Sequence, residues 1–198
     1  MRALVFDAPA PDTTTTRVAE LAVPEPGPGA VSIRVTHAGV NFKDVMARRG
    51  DPGYVRDWPF VPGLEVAGVI HAVGAGVSQL SVGQAVAALT GAGGLAEVAI
   101  ADARLTVPIP HGLAPERAAA APGALLTAAL LINEIGRLRR NETVLVHSAA
   151  GGVGHAAAQL ARLASAGLVL GTVGDVDRAD AARRSGYDTV LTRSPDLG

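Results

Sequence analysis

The chain of 198 residues contains no cysteine, which excludes disulfides, thiolate metal sites and cysteine nucleophiles and fits a reducing, cytoplasmic setting. It has no excess charge of either sign: 17 Lys and Arg against 18 Asp and Glu leave a formal charge of -1. Without a long basic or acidic run, the chain carries no electrostatic footprint for nucleic acid or anionic lipid. No apolar stretch reaches the roughly twenty residues that a spanning helix needs. The uncharged, alanine- and leucine-rich stretch 118–133 contains Pro122 and Gly123 and reads as buried helix broken by a turn. Near the start, Asp7 interrupts the chain before an apolar region of signal-peptide length forms. No internal repeat is present.

What is there is an apolar fraction of 48%, ample for one large or two small buried cores. Up to about Pro110 the pattern is short β-like runs punctuated by Gly and Pro: 2–6, 30–38, 65–73, 85–90 and 95–100. The chain then turns alanine-rich and helical, with Pro115 and Glu116 placed as expected for the first turn of a helix. A domain boundary is expected there, giving a β-rich domain over 1–112 and a second domain over 113–198. From Asn141 the order is strand (143–147), glycine turn, helix (152–165), strand (168–173), helix (177–185), strand (189–192). Such alternation demands parallel strands joined by right-handed crossovers.

The turn is Ala149-Ala150-Gly151-Gly152-Val153-Gly154. Between a strand and a helix, glycines let the backbone N–H groups of the helix start approach a dinucleotide pyrophosphate with no side chain in the way. Against the G-x-G-x-x-G pattern, Ala149 replaces the first glycine while Gly151 and Gly154 remain. The competing reading is a tight turn whose small residues serve packing alone. The second strand of this unit ends at Val173-Gly174, with Asp175 next and Arg178 beyond. A small residue with a cation close by suits the 2′-phosphate of NADPH better than the ribose of NADH. A solvated surface charge is the competing reading of Arg178.

Several ordered motifs resemble the medium-chain dehydrogenase/reductase superfamily, in its zinc-free quinone oxidoreductase and enoyl reductase branch. They run from Ala38 to Asp44, from Pro59 to Gly68, from Gly93 to Glu97, from Pro122 to Ala128 and from His147 to Gly154. The resemblance implies an α/β protein: a GroES-like β-rich domain followed by a partial Rossmann domain, a doubly wound parallel sheet of which the first βαβαβ half is present. It implies an active site in the cleft between the two, and NADPH as the hydride source for a quinone or an α,β-unsaturated carbonyl acceptor. Zinc-dependent relatives carry a cysteine and a histidine where this chain has Asn41 and Leu64, so no catalytic metal is expected. His37, His71, His111, His147 and His155 show no short ligand spacing either.

By the same resemblance, Asn41 lies near the nicotinamide, Thr127 lines the cofactor cleft, and Ala150, Gly151, Gly152, Val153, Gly154, Gly174 and Arg178 hold the rest of the cofactor. Tyr54 is the candidate proton donor or carbonyl anchor; an aromatic on a loop covering the cleft is the competing reading. Asp44 is expected as a structural partner of the Asn41 loop, and Glu65 stands where the family often has a buried structural acid, general acid being its competing reading. A complete Rossmann domain joins two such halves, so the first strand of the half-sheet is expected to expose an edge that a second copy or a completing chain covers. A reductase-derived protein without redox chemistry, carrying out cofactor-independent chemistry on a polyketide-like small molecule or serving as a binding or partner module, is the alternative function.

Overall fold

The computed structural model describes residues 1–193; the last five residues of the second expected domain lie outside the described residues. The chain divides into one compact unit over Met1–Pro122 and a second from Gly123 onward.

In the first unit, β1 (Arg2–Phe6) pairs antiparallel with β2 (Thr16–Glu20). A five-stranded antiparallel sheet is built from β3 (Ala30–Gly39), β4 (Glu65–Val73), β5 (Ala85–Leu89), β6 (Val98–Asp102) and β7 (Thr106–Pro108), in the order β6-β3-β4-β5-β7. Strand alternation sorts its two faces. Val31, Ile33, Val66, Ile70 and Val86 form one core. Ala67 and Ala87, their neighbours in sequence, face the other way and meet Ala118 and Ala119 of α2 (Pro115–Ala119). That burial keeps α2 with the sheet, so the first unit runs about ten residues past the expected boundary at 112. Proline stands at the start of α2, where its missing N–H costs nothing.

In the second unit, β8 (Thr143–Val146), β9 (Leu168–Val173) and β10 (Thr189–Thr192) form a parallel sheet in the order β10-β9-β8. Helix α4 (Gly152–Leu163) crosses from β8 to β9, and a 3₁₀ turn (Val176–Arg178) followed by α5 (Ala179–Arg184) crosses from β9 to β10. Ala156, Ala157, Ala158 and Ala161 line the buried face of α4 and pack with Val169, Val173, Ala182 and Tyr187. Small side chains there bring helix and sheet close together. Among the described residues β8 pairs only with β9, leaving its other edge open.

The stretch 118–133, expected to be buried helix broken by a turn, holds the buried end of α2, a turn at 120–121, then α3 (Pro122–Ala129) running into a π-helical turn (Leu130–Ile135). Its burial is a correction. Ala128 and Ile132 are buried, but Leu125, Leu126, Leu130, Leu131 and Ile135 are exposed. One face of a helix can pack on α4, and no further described layer covers the rest. Among the described residues no helix is long and apolar enough to cross a membrane.

An ion pair ties the crossover together. Asp188 Oδ1 pairs with the Arg162 guanidinium, and Asp188 Oδ2 accepts from Val169 N–H at 2.7 Å. Arg162 first, and the Val169 amide second, hold the Asp188 carboxyl below its ordinary value. A depressed folded-state value means the carboxylate contributes stability above the ordinary carboxylate range and loses it as pH falls through the folded value. Asp188→Asn is therefore expected to lower the thermal midpoint at pH 7, and its gap from wild type to close as pH drops below 4. Melting curves across pH check this; a gap that stays constant removes the charge from the explanation.

Candidate functional site

The turn after β8 is assembled by close backbone contacts. Ser148 sits at φ 55, in the left-handed region, a sparsely populated conformation for a residue with a side chain. Its carbonyl accepts from Gly151 N–H at 2.8 Å, and Ala149 N–H donates to Thr172 O on β9 at 2.8 Å. Ala149, standing where the pattern has its first glycine, is fully buried. It is accommodated by a glycine across the sheet: a Cβ at Gly171 would lie 2.7 Å from the Ala149 Cβ.

The three turn glycines are not equivalent. A Cβ at Gly154 would lie 2.5 Å from Ser148 O and 2.8 Å from Ala149 O, so this position must be glycine for the helix to meet the strand. Gly154 O in turn accepts from the hydroxyl of buried Tyr187 at 2.7 Å. Burial pushes that phenol up to about 12, so it stays a donor and pins the segment leading into β10 to the start of α4. By contrast, a Cβ at Gly151 would meet only Ser148 O, at 3.2 Å, and one at Gly152 nothing nearer than Ala124 at 3.8 Å. Gly151 has φ -82, an ordinary value. Packing alone explains Gly154 and leaves Gly152 unexplained.

Beside this turn lies an open cleft of about 320 Å³ at the carboxyl ends of the parallel strands, lined by Ser148, Ala150 and Gly151 from the turn. Val173, Gly174, Asp175 and Arg178 from the end of β9, and Arg193 just past β10, complete it. The structure thus brings Ala150, Gly151, Gly174 and Arg178 to one cleft. Gly152, Val153 and Gly154 form the first turn of α4, where N–H groups lack intrahelical partners. Asp175 Oδ1 caps the 3₁₀ turn, accepting from Asp177 N–H at 3.0 Å.

Arg193 is the residue that sequence reading missed. A Cβ at Gly174 would lie 3.3 Å from Arg193 Nη2, so the bare glycine gives the guanidinium its place. The available signal was positional: Arg193 follows Thr192, the last residue of the third parallel strand, at the same edge as Gly174.

In the first unit, Asn41 is the N-cap of α1 (Phe42–Arg49). Its backbone N–H donates to Asp44 Oδ2 at 2.8 Å, and Asp44 Oδ1 accepts from Gly63 N–H at 2.9 Å. Gly63 has φ 108, a conformation reserved for glycine. Asp44 is buried and joins the helix start to the Pro62-Gly63 segment. The Asn41 side chain donates from Nδ2 to Glu65 Oε1 at 2.9 Å. Tyr54 is half-buried in the turn that follows α1, its N–H donating to Asp51 O at 3.3 Å. Thr127 is exposed on α3 in the second unit. His147 Nδ1 lies 3.0 Å from Thr172 Oγ1 and His155 Nδ1 2.6 Å from Ser185 Oγ, so both rings are tied to neighbouring elements. Among the described residues no group of three His, Asp or Glu side chains is placed to hold a metal.

An antiparallel β domain followed by a parallel sheet with a glycine turn defines a GroES-like domain joined to the opening part of a dinucleotide-binding fold. Residues 27–111 match the alcohol dehydrogenase GroES-like domain. The chain is 42% identical over 144 residues to the zebrafish (Danio rerio) synaptic vesicle membrane protein VAT-1 homolog, covering 73% of this chain and 30% of that protein. It is 38% identical over 165 residues to a mycocerosic acid synthase-like polyketide synthase of Mycobacterium tuberculosis, covering 83% of this chain and 8% of that protein. Escherichia coli quinone oxidoreductase, crystallised with NADPH, superposes with a TM-score of 0.89 at 27% identity, over 97% of this chain and 58% of that one. The chain belongs to the medium-chain dehydrogenase/reductase superfamily and corresponds to the N-terminal part of its fold.

Proposed function

We propose that the chain serves an NADPH-dependent, zinc-free oxidoreductase that reduces a quinone or an α,β-unsaturated carbonyl of the enoyl type. The observation that carries this reading is Gly152: the fold leaves room for a side chain there, so its absence at the start of α4 is explained by what approaches from outside. In this reading Ala150, Gly151, Gly152, Val153 and Gly154 hold the pyrophosphate. Arg178 and Arg193 flank Gly174 and pair with the adenosine 2′-phosphate, two guanidiniums matching one dianion. Asp175 uses Oδ1 for its own cap, accepting from Asp177 N–H. Asn41 is assigned to the nicotinamide end, Thr127 to the cofactor cleft, and Tyr54 to the substrate as proton donor or carbonyl anchor.

A dihydronicotinamide would supply the hydride when bound. Asn41 and Leu64 offer neither thiolate nor imidazole, in keeping with a reaction that needs no zinc. Support for the cofactor and acceptor comes from the quinone oxidoreductase bound to NADPH and from the polyketide synthase relative.

Titrating NADPH and NADH into the chain while following nicotinamide fluorescence tests the reading. NADPH is expected to bind with a roughly micromolar Kd, and NADH at least about tenfold more weakly. A folded chain, by circular dichroism, that binds neither nucleotide overturns it.

A further inference from the structure

Glu65 is a carboxylate in an unusual place. It opens β4, is 3% exposed, and its Oε1 lies 2.9 Å from Asn41 Nδ2. Room for it is made by Gly39 on the paired strand β3: the two residues are register partners, and a Cβ at Gly39 would collide with the Glu65 Oε1, Cγ and Cδ atoms. On the other side of Asn41, Asp44 grips the backbone N–H. Asn41 is thus held at its main chain by one buried carboxylate and at its side chain by another. The amide end that faces Oε1 is the NH₂ end, a donor set against a carboxylate oxygen that accepts.

We propose that Glu65, admitted by Gly39, is a positioning residue for Asn41: it locks the carboxamide with Nδ2 on Glu65, leaving the carbonyl Oδ1, at the capping box of α1 beside the Asp44 N–H, as the group a ligand meets. Asn41 then serves as an acceptor for a ligand donor, a carboxamide NH₂ or a hydroxyl, and not as the donor that stabilises an enolate oxygen. The ligand half of this assignment rests on the proposed cofactor reading; the orientation of the amide does not.

The chain has only three asparagines, Asn41, Asn133 and Asn141, so selective ¹⁵N-asparagine labelling resolves each side-chain amide. In the free wild-type chain the Asn41 pair is expected away from the solvated position, with its two protons widely split and exchanging more slowly than those of Asn133 and Asn141. Glu65→Ala is expected to return it to the solvated position, and Glu65→Gln, whose Oε1 still accepts, to restore the wild-type pattern. Gly39→Ala, which displaces the carboxylate by contact, is expected to copy Glu65→Ala, and the double variant to add nothing. A wild-type Asn41 pair already at the solvated position, or one that Glu65→Ala leaves in place, overturns the proposal without needing any variant to fold perfectly.

Adding NADPH separates the two readings. Binding weakened about tenfold in Glu65→Ala, the scale of one lost hydrogen-bonded contact, and rescued in Glu65→Gln supports the ligand role. Binding unchanged in Glu65→Ala refutes that role. If NADPH moves no amide of the wild type, the cofactor reading fails while the orientation of Asn41 is still decided by the free spectrum.

Discussion

Gly154→Val and Gly152→Ala are expected to part company. At Gly154 the added carbons run into Ser148 O and Ala149 O, both backbone atoms that cannot swing aside. Forcing α4 away from β8 is expected to cost about 1–3 kcal/mol, as overpacking does, and to lower the thermal midpoint by several degrees. It also tilts the helix start, so NADPH binding should fall by at least about tenfold. At Gly152 the fold has room, and removing a glycine from a helical position is expected to raise stability by about 0.4–1 kcal/mol. On the proposed reading the pyrophosphate lies against this turn and the new methyl keeps it off, so NADPH binding should be lost in a protein that melts no lower than wild type. Thermal melts and nicotinamide fluorescence on both variants decide it. If Gly152→Ala binds NADPH like wild type, the phosphate does not approach this turn, and the packing explanation of the glycines prevails.

The second large effect is expected at the far edge of the same cleft. Arg178→Ala combined with Arg193→Ala should weaken NADPH binding by at least about 100-fold, since each hydrogen bond to a charged group contributes roughly 1.5–3 kcal/mol. NADH, which lacks the 2′-phosphate, should be nearly unaffected. The steep salt dependence of wild-type NADPH binding should flatten at the same time. Equal losses for NADPH and NADH would show that the arginines act on the fold or on the pyrophosphate, and would remove the basis for a cofactor preference. Both side chains are exposed, so little change in melting temperature is expected.

These two predictions differ in how much of their basis was legible in the sequence. The glycine turn stands out because strand, small residues and helix follow one another locally. Its internal division does not: only contact with Ser148 O and Ala149 O separates Gly154, bound by packing, from Gly152, which is free of it. Arg178 is four residues past Gly174, close enough to be suspected. Arg193 reaches the same cleft through the parallel pairing of β10 with β9, a relation no local window contains.

The same distinction runs through the fold. The strands over 2–6, 65–73, 168–173 and 189–192 match the observed β1, β4, β9 and β10, because each is a continuous apolar or alternating run. The strand expected over 95–100 lies at Val98–Asp102, where pairing with β3 sets the register. Helix α1 escaped notice since its pattern is inverted: Phe42 is 67% exposed while Asp44 is buried. Hydropathy reads such a segment backwards, and the reason is an aspartate satisfied by the N–H groups of Asn41 and of Gly63, the latter nineteen residues away. β2, with only Ala19 buried, becomes a strand by pairing with β1.

By itself the sequence determined the two-part architecture, the position of the glycine turn, the absence of cysteine chemistry and the superfamily, because each is written in local periodicity or in ordered motifs. Tertiary structure alone decided that α2 stays with the first sheet, that Arg193 joins Arg178, and that Glu65 faces Asn41. In each case residues distant in the chain meet across strand pairs or helix faces. Those meetings are set by register and packing, which depend on the whole fold and leave no mark on any one segment.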